Sequence, residues 1–149
     1  MGIKEKLYQA CFDFASQRIK ALNDAQKELS EDAGSEAKSS AGDKHETGRA
    51  MMQLEQEKNA DQLSKASELL KAMEKIDPSV VSDKVALGTL VITNRGQFYI
   101  AISAGKISID GKDYFAVSPQ APIAVKLIGL KTKQSFQFNG VEYLVEEVR

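Results

Sequence analysis

The chain has 149 residues, 42% of them hydrophobic and 28% charged, which is enough apolar material for one ordinary domain or two small ones. A formal net charge of −1, with neither the part before residue 80 nor the part after it strongly basic, argues against a protein held to nucleic acid by bulk electrostatics. One cysteine (Cys11) and one histidine (His45) exclude an intrachain disulfide and an ordinary zinc site. No run approaches the ~20 apolar residues of a membrane span and no signal-like segment opens the chain, so a cytoplasmic protein without a membrane partner is expected.

Between residues 3 and 29, apolar residues recur at Leu7, Cys11, Phe14, Leu22, Ala25 and Leu29, with an interruption at Arg18. Steps of three and four without internal Gly or Pro predict an amphipathic helix. Cys11 lies on this stripe and reads as a small buried hydrophobe, since no histidine or cation is placed to activate its thiol. The helix is carried through the Ser/Glu/Lys-rich residues 30–40 as far as about Lys38, because antiparallel arms need similar lengths.

A second helix is predicted from about Glu46 to Ile76, where Asp77-Pro78 stops it. Its heptad seam is Met52, Gln56, Asn59, Leu63, Ala66, Leu70 and Met73. The polar Gln56 and Asn59 cost stability there but fix register. Residues 1–79 are thus expected to be an antiparallel two-helix coiled-coil hairpin. Arms of about 30 residues would run roughly 45 Å. Tyr8, Phe12 and Phe14 are the expected docking residues at its base.

The polar stretch 39–48 between the helices is the expected tip. Asp43-Lys44-His45-Glu46 has the D-x-x-E form of a capping box, with Asp43 capping the second helix and Glu46 reaching back to its first amides. The same spacing puts two carboxylates on one helix face, with Cβ atoms about 5–6 Å apart. Such a pair offers hard oxygen ligands to Mg²⁺ but too few to hold it alone, so it is half a site that a partner completes. The residues alone leave both readings open. Lys44 and Arg49 either meet phosphate or belong to a solvated face, and His45 either relays a proton or is an exposed helix-start residue.

After Pro78 the apolar period becomes two. Residues 87–93 read as a strand, Asn94-Arg95-Gly96 as a turn, and Phe98, Ile100 and Ile102 as one face of a second strand. Asp110-Gly111 and Asn139-Gly140 are hairpin turns, the first between Ile107/Ile109 and Tyr114/Ala116, the second between Phe136/Phe138 and Tyr143/Val145. Residues 122–128 form a short apolar helix, with Pro122 in its first turn and Gly129 after its end. Residues 80–149 are expected to be a small antiparallel sheet domain with one short helix. The chain as a whole is α+β, in two domains.

Three segments in order carry a resemblance that covers essentially the whole chain. They are Gly42-Asp43-x-x-Glu46, the run from Ser118 through Pro122 to Gly129, and the ending from Gly140 to Val148. They resemble the bacterial Gre (GreA/GreB) transcript-cleavage factors, a family built as a coiled-coil hairpin followed by an FKBP-like domain. The resemblance implies a monomeric transcription elongation factor that enters the secondary channel of backtracked bacterial RNA polymerase. Asp43 and Glu46 would help hold an Mg²⁺ shared with the polymerase, and the polymerase's own site would cleave the extruded RNA 3′ end. The chain would then not be an enzyme by itself.

By the same resemblance Gln120, Ala121 and Pro122 dock at the rim of the channel. The family continues Asn-Ala-Glu-Tyr after its acids; here the residues are Thr47-Gly48-Arg49-Ala50, without the tyrosine that could stack on RNA. The alternatives are a Gre-like channel binder that modulates transcription without stimulating cleavage, and a generic coiled-coil adaptor. A free-standing enzyme fails on inventory, having neither a nucleophile arrangement nor a phosphate-binding glycine loop.

Overall fold

A computed structural model describes residues 2–37 and 42–149, and the side chains of these outside residues 31–47. Helix α1 spans Ile3–Ala37 and α2 spans Gly42–Glu74. The first helix continues through Gly34 as expected, while Lys38 lies outside the described residues. The second begins four residues before the expected Glu46, since nothing in Gly42–Thr47 breaks a helix and first-turn acids favour its positive end. It closes on tightened bonds, Lys75 N to Ala72 O at 3.3 Å and Ile76 N to Met73 O at 3.1 Å. Asp77 then fixes the exit by accepting from Ser79 N (2.9 Å) and Ser79 Oγ (2.6 Å), which holds its carboxyl below the usual range. No helix among the described residues is long and apolar enough to cross a membrane.

The chain forms two compact units: Met1–Phe14 with Lys71–Arg149, and Ala15–Leu70. In the second unit the expected seam of α2 is present. Ala66 is buried and Asn59 nearly so, while Met52, Gln56, Leu63 and Leu70 are half-buried. On α1 the break at Arg18 is bridged by a one-residue slip: Arg18 is exposed, and buried Ala15 with half-buried Ile19 take the seam. A 3.6-residue helix drifts from a 3.5-residue repeat in this way.

Asn59 Nδ2 donates to Leu22 O at 2.9 Å and to Gln26 Oε1 at 3.1 Å, pinning one axial register. A groove of about 340 Å³ runs beside it, lined by Ala25, Leu29 and Gln62 among others. Asn59→Leu is expected to stabilise the chain by about 1 kcal/mol, because burying an apolar side chain in the seam outweighs the two amide bonds lost. Thermal melting followed at 222 nm checks this, and a lowered midpoint would contradict it.

The first unit carries a six-stranded sheet in the order β3-β4-β2-β1-β6-β5. Its strands are β1 Leu90–Thr93, β2 Gly96–Ile100, β3 Gly105–Ile109, β4 Lys112–Val117, β5 Ser135–Phe138 and β6 Val141–Val148, with α3 at Pro122–Leu127 before β5. Strand β1 starts three residues later than expected. Gly88 takes φ +88, and Thr89 Oγ1 donates to Ala86 O at 2.7 Å, so residues 86–89 form a turn. Both glycine hairpins form as expected, with Asp110/Gly111 at φ 52 and 79 and Asn139/Gly140 at φ 52 and 74. They set the registers Ile107↔Tyr114 and Phe136↔Tyr143.

The sheet is antiparallel as expected in four of its five strand pairs, and β2 and β4 pair in parallel. The β3–β4 hairpin presents its second arm to the free edge of β2, so the chain returns beside β2 in the same direction.

Sheet pleating separates two buried faces. Val91, Phe98, Ile100 and Val145 cluster with Val85 and with Ala124 and Leu127 of α3. Leu90, Tyr99, Tyr114 and Ala116 lie on the other face, where Tyr99 sits near Cys11, Tyr8 and Glu5 of α1. The base of α1 is anchored by fully buried Leu7 and Cys11, one turn apart. The aromatic residues expected there flank it instead: Tyr8, Phe12 and Phe14 are half-buried, and the first two stack at 6.2 Å. Lys6 Nζ meets Asp110 Oδ2 at 2.9 Å, and the buried Lys4 ammonium donates to Val80 O.

Burial pushes the Cys11 thiol from its ordinary 9.0 up to about 12 and raises the Tyr99 hydroxyl as well. The unfolded thiol ionises near 9 while the folded one stays protonated. The stability tied to this group is therefore complete below pH 9 and is lost as pH rises towards about 12. Unfolding free energy is expected to fall by about 1–2 kcal/mol between pH 9 and 11. The slope should be shallower in Cys11→Ala, and urea titrations at a series of pH values measure both.

Candidate functional site

The tip pair is positioned by the start of α2. With the helix beginning at Gly42, Asp43 and Glu46 both fall in its opening turns, three residues apart and on one face. The capping-box expectation rests on the side-chain bonds of Asp43 and Glu46, which lie outside the described residues. The side chains of Asp43, Lys44, His45 and Glu46 lie outside the described residues, and Arg49, further along α2, is exposed. As a donor set, two carboxylates suit Mg²⁺, which typically takes one or two from a protein and completes its octahedron with water and phosphate.

The expected docking residues lie where the chain enters α3. Ala121 N donates to Ser118 O at 3.0 Å, closing a turn, and Ala121 itself is extended at φ −61 and ψ 143. Pro122 follows as the first helical residue, where its missing N–H costs nothing and its fixed φ is already helical. Gln120 and Pro122 are exposed, while half-buried Ala121 packs against the apolar cluster. Two of the three residues are therefore available to a partner, and the third holds them in place.

The sequence reading missed the outward strip of α3. Ala124 and Leu127 face the core at 0% exposure, but Val125 is 61% exposed and Ile128 is 41% exposed. With Pro122 they form a strip at a spacing of three. The signal was legible: the run Pro-Ile-Ala-Val-Lys-Leu-Ile has one polar residue in seven, and a helix on a sheet buries only one side. Elsewhere in the sheet unit, a groove of about 350 Å³ is lined by Ile3, Lys4, Pro78, Val81 and Arg149 among others. Desolvation holds the Lys4 ammonium there below its usual pKa.

No protein-family model matches the chain, and none of the curated proteins matches it. Among solved structures the chain is similar to one described as the structure of the transcription factor Gfh1, at 12% identity and a TM-score of 0.38, over 92% of each chain.

Proposed function

We propose that this chain is a Gre-type transcription elongation factor, which enters the secondary channel of arrested bacterial RNA polymerase in the cytoplasm and stimulates cleavage of the backtracked RNA. The observation that carries the reading is the Gly42-Asp43-x-x-Glu46 core, with both acids at the start of one of two long helices that a sheet domain follows. Asp43 and Glu46 act as anionic ligands lent to the polymerase site, where they also orient the attacking water. An Mg²⁺ held in part by Asp43 and Glu46 would supply a lowered pKa for that water. Lys44 and Arg49 face RNA phosphate, and Gln120, Ala121 and Pro122 meet the channel rim. The chain provides ligands and position; the polymerase provides the reaction, so the chain alone is not an enzyme and binds no cofactor tightly.

Thr47-Gly48-Arg49-Ala50, which lacks a tyrosine to stack on RNA, favours a second reading in which the tip occupies the channel without stimulating cleavage. Cleavage of end-labelled RNA in backtracked complexes, with and without this chain, decides between the two. Shortened RNA is the expected result, and binding without shortening supports the second reading.

A further inference from the structure

Strand β5 is one edge of the sheet, and among the described residues no strand pairs with its outer side. The bonding of β6 fixes which backbone groups of β5 face outward. Leu144 turns both of its backbone groups away from β5: its N–H donates to Asn94 Oδ1 at 2.8 Å, and its carbonyl accepts from Asn94 N at 3.1 Å. Glu142 O likewise accepts from Arg95 Nε at 2.8 Å. Leu144 and Glu142 are the residues opposite Ser135 and Gln137. Both are therefore non-hydrogen-bonded pairs, in which Ser135 and Gln137 point N–H and C=O to the open edge. A bulge ends the regular run upstream, where Lys133 N donates to Val145 O at 2.8 Å and Val145 N to Gln134 O at 2.9 Å.

The two edges of the sheet are guarded differently. On β3, the other edge, Lys106 pairs with Asp113 at 3.3 Å, and a charged edge discourages strand addition. Residues 134–139 of the β5 edge, Gln-Ser-Phe-Gln-Phe-Asn, carry neither charge nor proline. Exposed Ser135 and Gln137 alternate with half-buried Phe136 and Phe138, and Phe136 stacks on Tyr143 at 5.0 Å.

We propose that β5 pairs with β5 of a second copy of this chain, antiparallel and two-fold about Phe136. Ser135 of each copy then faces Gln137 of the other, and every outward N–H and C=O of these residues is paired. Phe136 meets its own counterpart across the axis in a close, non-hydrogen-bonded pair, which extends the stack on Tyr143 into an aromatic row. A second copy is the fitting occupant because the strand is complementary to itself and has no charge to repel its like. Two-fold pairing is closed, so assembly stops at the dimer. The contact is short, below the ~1,200 Å² of a standard interface, and dissociation is expected at about 0.1 mM. Below that concentration the chain is a monomer, as the resemblance implies. The pairing does not depend on the polymerase reading.

Sedimentation velocity of the full chain from about 10 µM to 1 mM tests the pairing. The parent is compared with Ser135→Lys/Gln137→Lys and with Ser135→Glu/Gln137→Glu. Both positions are exposed, and melting curves confirm that each variant is folded. The parent mass should rise from one chain towards two, and each double variant should dissociate at a concentration at least tenfold higher. An equimolar mixture of the two variants should recover the dimer, since the introduced lysines of one copy face the introduced acids of the other. A parent that stays monomeric at the highest concentration, or grows beyond a dimer, overturns the inference. So does parent-like association of the lysine variant, or a mixture that fails to recover.

Discussion

Replacing Asp43 by Ser and Glu46 by Gln together is expected to slow cleavage of backtracked RNA by on the order of 100-fold, the scale of losing a preorganised charge-stabilising group. The substituted residues still donate and accept hydrogen bonds near the helix start, so whatever capping the acids provide is largely kept. What disappears is the negative charge. First-turn acids at an exposed helix end contribute only about 0.3–1 kcal/mol each to stability, too little to unfold the chain. Single-turnover rates on labelled RNA, read beside the helical signal at 222 nm, separate the two roles. A variant that cleaves like the parent would leave the acids as helix-start residues and remove them from the mechanism.

Leu7→Ala is expected to cost about 2–5 kcal/mol, the largest stability loss foreseen for this chain. Leu7 is fully buried at the base of α1, and Cys11, one turn on, is buried as well, so the opening turns of α1 cannot easily close over the cavity. Tyr99 makes a useful contrast. It is the largest fully buried side chain, yet its hydroxyl finds no hydrogen-bond partner among the described residues. Tyr99→Phe removes an unsatisfied polar atom and keeps the ring, so it should be neutral or stabilising by about 1 kcal/mol. Urea unfolding of the three proteins ranks Tyr99→Phe at or above the parent and Leu7→Ala well below it. If Tyr99→Phe instead lost as much as Leu7→Ala, the hydroxyl would be hydrogen-bonded in the folded chain and not orphaned.

Where local chemistry decides structure, the sequence could be read directly. The heptad from Met52 to Met73, the stop at Asp77-Pro78, the two glycine hairpins and the proline start of α3 all depend on residues within a few positions of each other. Features set by distant partners were hidden. The seam slip past Arg18 follows from helix periodicity against the facing helix, and the parallel β2–β4 pair follows from where a hairpin finds a free edge. The site divides in the same way. Asp43, Glu46 and Pro122 announce themselves by spacing, while the exposure of Val125 and Ile128 depends on which side of α3 packs against the sheet.

Site-specific crosslinking shows where the two acids are delivered. Cys11, the only cysteine, is fully buried and burial pushes its thiol up to about 12, so Thr47→Cys provides a single reactive thiol one residue past Glu46. Coupled to a short photocrosslinker and added to a backtracked complex, it should label the RNA 3′ end and the polymerase subunit that holds the reacting metal. Labelling confined to the outer surface of the polymerase, or absent while the chain remains bound, would contradict delivery of the two acids to the polymerase site.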